Sequence, residues 1–441
     1  MQTNRTRTLM KYVIPAILSN ACIFLFTIID GIFVGNGISS DALGAVNIAM
    51  PMVMIATAIN MLTSIGGCAI TAIRLGQYDK KGANEAFLHS LTANAVFAGI
   101  ITFACMALTE PLSIFLGANE YYLPMVKEYV FWWGLFAIPS ALSVNFQFFC
   151  RNDGFPMLVM VATVASTVLN IFLDWLFVFP MQMGIMGAAI ATGISQTVSW
   201  LIVAVHFFAR KGELRIKAYK PKLSMYGQVI FFGLPEMIAQ FATPVTTIAL
   251  NNVIMVSLGE MGINAFAIIS YVASLAISIF SGASEGLQPL FGQTYGAKEE
   301  KNLKWYFRAG LLISFVGSIV IVGLCILFAR PICALFGAEG ETLTDTLRYL
   351  PQYAWAFIIV GLNTMISAYL YSTERTGYAI VLNICRALVL NTAIITGLPA
   401  LLGNGVIWYT YGISEGLVLI VAFVLLRISE RKGIVFKEPT Y

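Results

Sequence analysis

Charge is scarce in this chain. Asp, Glu, Lys and Arg make up only 11% of its 441 residues, while 59% are hydrophobic; an ordinary soluble domain is about one-quarter charged. That deficit excludes a water-covered globular surface and leaves a membrane protein. Alternating apolar and polar residues are also missing from its long apolar runs, which excludes the strands of a β-barrel, the other architecture whose backbone is satisfied inside lipid. There are only two histidines, His89 and His206, one near a helix start and one near a helix end, so no general base lies at a depth useful for intramembrane chemistry. No Gly-Lys dipeptide occurs anywhere, which removes the phosphate-binding lysine of a nucleotide-driven engine. The seven cysteines, at 22, 68, 105, 150, 325, 333 and 385, form no Cys-x-x-Cys pair. Neither a disulfide framework nor a metal site is expected of them.

What is present is a series of apolar runs, each long enough to cross lipid as a helix. Twelve spans are expected, over residues 11–34, 42–73, 84–108, 121–149, 157–179, 184–208, 226–255, 262–296, 305–329, 342–371, 377–402 and 405–427. The first follows Arg5, Arg7 and Lys11 without a small-residue cleavage site, so it reads as a retained helix. Basic residues alternate between the loops. The side that includes Arg74, Arg151, the connector from Arg210 to Lys222, Lys298 to Arg308 and the tail with Lys432 and Lys437 holds 22 of the 26. By the positive-inside rule both termini are cytoplasmic. Topology alone accounts for the net charge of +4, and nucleic acid is not an expected partner.

The chain repeats. A shift of 220 residues places Pro15 on Pro235, Thr27 on Thr247, Ser64 on Ser284, Gly66 on Gly286, Gly117 on Gly337 and Tyr129 on Tyr349; one inserted residue later, Asn170 falls on Asn391. Matches at Pro and Gly carry weight because those residues punctuate structure. The expected fold is an all-α membrane protein, with twelve transmembrane helices in two six-helix lobes related by an internal parallel repeat. The lobes are residues 1–209 and 226–441, joined by a cytoplasmic connector at 210–225. An even number of spans per repeat gives both copies the same orientation, as in parallel-repeat transporters.

Two pentapeptides, GASEG at 282–286 and GISEG at 412–416, match the Gly-x-Ser-x-Gly pattern of hydrolases. Neither Ser284 nor Ser414 sits on the strand-to-helix turn that a nucleophile needs. Their acids mean more. Glu236, Glu285, Arg386 and Glu415 all lie about 9 to 12 residues from one end of their spans, about 14–18 Å deep at the helical rise. Charges at that depth must pair. This cluster reads as a set of salt bridges pinning spans 7, 8, 11 and 12, or as an acidic excess that binds a cation or proton. Nearer the opposite end of the first lobe, Asp30 and Asp174 can meet, with Asn170 one turn before Asp174 and with Thr192 and Gln196 adding polar groups from span 6. Two carboxylates without a nearby Lys or Arg suit H⁺ or Na⁺.

The stretches IPAILSNACIFLFTIIDGIFVGNG at 14, AIRLGQYDKKGA at 72, NIFLDWLFVF at 170, GAAIATGISQ at 187 and GLQPLFGQTYGAK at 286 resemble the multidrug and toxic compound extrusion (MATE) family, in its DinF/MepA-like branch, over nearly the whole chain. The resemblance implies export of organic cations or amphipathic drugs in exchange for H⁺ or Na⁺, with no other cofactor. It also implies that Asp30, Asn170, Asp174 and Thr192 are cation-coupling residues, with Asn145 a further match. Gly31 stands where related members of the branch often carry Arg. Pro15, Gly31 and Pro235 are candidate hinges, and a monomer in the cytoplasmic membrane is expected. Other readings of the same residues are a flippase for a lipid-linked substrate, an intramembrane serine hydrolase, and a channel.

Overall fold

A computed structural model of the chain describes residues 2–335 and 338–431; Gly337, Lys432 and Lys437 lie outside the described residues. The described chain divides into two compact units, Met1–Leu234 and Pro235–Tyr441. The division falls inside the helix that follows the connector.

The first unit contains α1 (Gln2–Gly37), α2 (Ser40–Gly76), α3 (Lys80–Ala107), the short α4 (Thr109–Phe115), α5 (Leu123–Leu135), α6 (Ala137–Asn152), α7 (Pro156–Val178), α8 (Gly184–Phe208) and the start of α9 (Leu223–Gln240). The second contains the end of α9, then α10 (Ala242–Gly296), α11 (Glu300–Leu327), α12 (Ala329–Leu335), α13 (Gly340–Ala354), α14 (Ala356–Ser372), α15 (Thr376–Ile384), a π-helical turn at Cys385–Leu390, α16 (Asn391–Leu402) and α17 (Ile407–Arg431). Within α10, Gly259 at φ 68° breaks the helix. A side chain would be strained in that left-handed region, and the break separates two spans.

Eleven of the described helices are long and apolar enough to cross a membrane, and α5 with α6 makes a twelfth, bent by 49° at Phe136. All twelve expected spans are therefore present, and several of them are not continuous α-helices. The fourth span breaks at Phe136, the tenth at Trp355, and the eleventh passes through the π turn. Close packing marks the first two breaks. A β carbon on Gly193 would run into the Phe136 ring, and one on Gly412 into the Trp355 ring. The first of these aromatics is seated against a glycine of α8 and the second against a glycine of α17.

α7 shows how burial is arranged. Val159, Thr163, Ser166, Asn170, Asp174 and Val178 recur every three or four residues and are buried, whereas Val161, Val168, Phe172 and Trp175 are exposed. A polar stripe thus turns inward and an apolar one outward, the reverse of a soluble helix and the arrangement lipid demands. On α3, Val96, Ile100 and Phe103 form a similar outward stripe.

Where helices touch most closely the residues are small. A β carbon on Gly66 of α2 would overlap the carbonyl of Val229 on α9, and one on Gly233 would overlap that of Leu62. The two backbones meet with no side chain between them, as at other small-residue crossings in membranes. Neither carbonyl can move without disturbing its own helix. Gly66→Val is therefore expected to destabilise the protein by at least about 2 kcal/mol. Gly99→Ala, where nothing lies within 4 Å of the added carbon, should be neutral or stabilising by up to about 1 kcal/mol. Thermal unfolding in detergent followed by tryptophan fluorescence checks both, and equal midpoints for the two variants would contradict the crossing.

Candidate functional site

The expected carboxylate pair forms within the first unit. Asp30 comes from α1 and Asp174 from α7, and the two are close enough for the charge of one to act on the other. Tyr129 of α5 feels the charge of Asp30 as well. Asp174 is fully buried and Asp30 half-buried. Both carboxylate oxygens of Asp174, Oδ1 of Asp30 and Oδ1 of the buried Asn170 have no hydrogen-bond partner within the protein. No Lys or Arg pairs with either acid among the described residues. Two carboxylates removed from water without a counter-ion cost several kcal/mol each. The arrangement is one that a proton or a small hard cation relieves, because it offers bare oxygens to either.

Asn170 Nδ2 reaches Thr192 Oγ1 of α8 at 3.5 Å, and Thr192 also lines a cavity of about 310 Å³ inside the first unit. Phe26, Phe97 and Trp133 supply aromatic surface there, Asn60, Asn94 and Gln196 supply amides, and no lining residue is charged. Gln196 thus lines the cavity beside Thr192. Asn145 stands elsewhere. Its Nδ2 donates to Ser64 and Ser90, both at 3.1 Å, in a polar knot of α2, α3 and α6. Asn94 belongs to the same knot and donates to Asn60 at 2.6 Å and Thr63 at 2.9 Å. The structure therefore brings together Asp30, Asp174, Asn170 and Thr192, adds Tyr129, and leaves Asn145 outside the group. In the sequence Tyr129 stood out only as a repeat match to Tyr349, which gave no sign of this place.

The charged cluster of the second unit is organised around one ion pair. Arg386, on the π turn, donates from Nε to Glu415 Oε1 at 2.8 Å and from Nη1 to Thr364 at 3.4 Å. Asn363 of α14 donates to the other oxygen of Glu415 at 2.8 Å and to its backbone carbonyl at 3.0 Å. Glu415 is fully buried. Glu236 accepts from Gln240 at 3.1 Å and senses Glu285 and Arg386 through space. The direct salt bridge thus ties the π turn to α17, and Arg386 and Glu415 both reach α14, the tenth span. Asn363, Thr364 and the π turn had no sequence signal, whereas Arg386 and Glu415 stood out as charges in apolar runs.

The two Gly-x-Ser-x-Gly serines lie in the middle of α10 and α17, not on a turn. Ser284 donates to the Ser281 carbonyl at 2.9 Å and Ser414 to Asn391 Oδ1 at 2.5 Å. Both histidines are engaged as well, although Nδ1 of His206 has no partner. His89 meets the Glu85 carbonyl and the Lys222 N–H, and His206 meets Asp153. Nothing here assembles a nucleophile and its base, and the hydrolase reading is withdrawn. The glycine of GISEG has a packing role instead, since Gly412 receives Trp355.

With this geometry in place, comparison with known proteins is informative. A family model described as MatE matches residues 15–176 and 235–395, two segments set apart by the same interval as the repeat. The chain is 22% identical over 427 residues to multidrug export protein MepA of Staphylococcus aureus (strain MSSA476), covering 96% of this chain and 93% of that protein. It is also 22% identical over 410 residues to its namesake in Staphylococcus haemolyticus (strain JCSC1435), at 91% and 89% coverage. Among solved structures, an outward-facing multidrug resistance MATE family transporter of the MOP superfamily superposes with a TM-score of 0.91 at 24% identity, over 97% of each chain. A MOP superfamily transporter from Pyrococcus furiosus, for which a reversed polarity of the binding pocket has been described, gives 0.90 at 24% identity, also over 97% of each chain. At such identity the superpositions speak for the fold, and it is the family match, spanning most of both units, that shows this chain to be a member of the MATE family of transporters.

Proposed function

We propose that the protein is a cation-coupled antiporter that exports organic cations or amphipathic drugs across the cytoplasmic membrane by alternating access. H⁺ or Na⁺ is the coupling ion, both termini are cytoplasmic, and the working unit is a monomer. The observation that carries this reading is the position of Thr192. It contacts Asn170 beside the carboxylate pair and also lines the aromatic cavity. An ion at Asp30 and Asp174 and a drug in the cavity would then act on one helix, α8. Mutual exclusion of two ligands through a shared element is sufficient to couple their fluxes. The names of the staphylococcal relatives agree with a drug as cargo. Aromatic faces suit an organic cation even without a charged residue in the wall.

Asp30 and Asp174 carry the ion in this reading. Protonation or sodium binding removes the uncompensated charge and lets α1 repack against α7. α1 is one helix through Pro15 and Gly31, and Pro235 lies inside α9; these are the places where the proposed change of state would bend the chain. Arg386 and Glu415 are assigned a structural role, because each is fully engaged by partners on neighbouring helices.

Three outcomes are expected. In proteoliposomes, ethidium efflux should respond to an imposed proton gradient or sodium gradient, and Asp174→Asn should lower the driven rate by about 5- to 150-fold, the span of ordinary coupling energies. Driven efflux that survives in a correctly inserted Asp174→Asn protein would remove the carboxylates from the mechanism. Thr192→Val keeps the volume of the cavity wall but deletes the hydroxyl. Drug affinity at a fixed ion concentration should change by less than about threefold, whereas its dependence on ion concentration should flatten, both read by fluorescence titration. Finally, Glu415→Gln leaves a buried guanidinium without its counter-ion and should cost about 3–5 kcal/mol of stability, with much of the loss restored in Arg386→Met/Glu415→Leu. Detergent unfolding midpoints decide this, and a double variant as unstable as the single one would speak against the structural assignment.

A further inference from the structure

The segment between α8 and α9, residues 209–222, has no regular secondary structure, yet its backbone is fastened to buried side chains of the first unit. Asp153, at the end of α6, accepts the N–H of Glu213 at 2.7 Å and of Leu214 at 3.4 Å, and its carboxylate is also held by His206 at 2.8 Å. Asn84 accepts the N–H of Arg215 at 2.6 Å, and His89 Nε2 accepts that of Lys222 at 2.8 Å. Gly212 sits so close to the Asp153 carboxylate that a β carbon would overlap it. A chain held at so many points is a ledge rather than a flexible linker.

The outward face of this ledge is basic. Arg210, Lys211, Lys217 and Lys220 are exposed, and none makes an ion pair among the described residues. Glu213 is the one acid of the segment, and Lys80 holds it at 2.8 Å. Exposed apolar side chains lie at both ends and in the middle, with Phe208 at 70%, Ile216 at 40% and Leu223 at 88%. Because α8 and α9 are spans that end at Phe208 and begin at Leu223, the ledge runs at the level where lipid headgroups meet water.

We infer that the connector is a docking surface for anionic phospholipid headgroups in the leaflet where α8 and α9 emerge. The positive-inside rule explains why the cations lie on this side. It does not require that they be set on a fixed backbone with apolar side chains among them. That combination is what recognition of a charged headgroup on an acyl chain needs: an array of cations for the phosphate and an apolar contact for the chain. Holding the backbone in advance lowers the ordering cost of binding.

The test uses the full chain, reconstituted in nanodiscs of phosphatidylcholine with a trace of fluorescent phosphatidylglycerol, and reads local enrichment by energy transfer from tryptophan. Lys211→Gln/Lys217→Gln/Lys220→Gln should lower apparent phosphatidylglycerol affinity by at least about tenfold, given roughly 1 kcal/mol per basic residue near an anionic surface. The corresponding Lys→Arg triple should retain it, which separates charge recognition from misfolding. Arg5→Gln/Arg7→Gln/Lys301→Gln removes the same charge elsewhere and should have a much smaller effect. Raising the salt concentration should narrow the difference, because the Debye length shrinks to about 3 Å at 1 M. Equal losses in the two Gln triples would mean a diffuse field rather than a docking surface and would overturn the inference. So would full competition by soluble glycerol phosphate, which would make the ledge a phosphate site with no use for a lipid chain.

Discussion

Inside lipid, a polar group that fails to find a partner within the protein finds none at all. Most of this molecule is a set of answers to that constraint. The backbone answers by being helical along its spans, apart from the breaks at Phe136, Phe241 and Trp355. Hydroxyls answer by bonding back along their own helix, as Ser19 does to Pro15, Thr163 to Val159, Ser318 to Ser314 and Thr364 to Val360. Amides answer by knotting helices together, as Asn145 and Asn94 do between α2, α3 and α6. The guanidinium of Arg386 answers with Glu415. Some neutral groups stay unanswered, both ends of the Gln288 amide among them, but Asp30 and Asp174 are the exception that can carry charge, and an unanswered pair of acids in such surroundings is costly.

The repeat explains why the exception can exist without destabilising the rest. Both units use the same mechanical device, an aromatic at a broken span seated on a glycine of a later helix: Phe136 on Gly193 in the first and Trp355 on Gly412 in the second. The scaffold is thus set by shape, with steric contacts that do not depend on the state of any titratable group. Polar positions were then free to diverge between the copies.

Much of this was legible in the sequence and some was not, for physical reasons. Span number followed from hydropathy because lipid thickness sets helix length, and the pair Asp30 and Asp174 was found because charge is conspicuous in an apolar run. Breaks at Phe136 and Trp355 were hidden. Nothing distinguishes one aromatic from another until the glycine opposite is known, and that glycine is far away in the chain. The π turn beneath Arg386 was hidden likewise, since Cys385–Leu390 has no Pro or Gly to mark it. Asn145 could be tied to the carboxylates only by resemblance; its depth along α6 did not reveal that Ser64 and Ser90 would face it.

The divergence is clearest at one repeated position. Asn170 and Asn391 correspond in the two copies, and both are buried. Asn391 is satisfied at both ends, its nitrogen donating to Thr246 at 2.9 Å and its oxygen accepting from Ser414. Asn170 makes one long contact with Thr192, and its oxygen has no partner. Four residues beyond Asn170 comes Asp174, whereas four beyond Asn391 comes the apolar Ile395. The second unit has closed this site by filling its hydrogen bonds and removing its charge. The first has left it open and charged. Under the proposed mechanism, that difference would confine ion binding at this position to the first unit. It also leaves Arg386 and Glu415 to serve as a fixed cross-brace in the second.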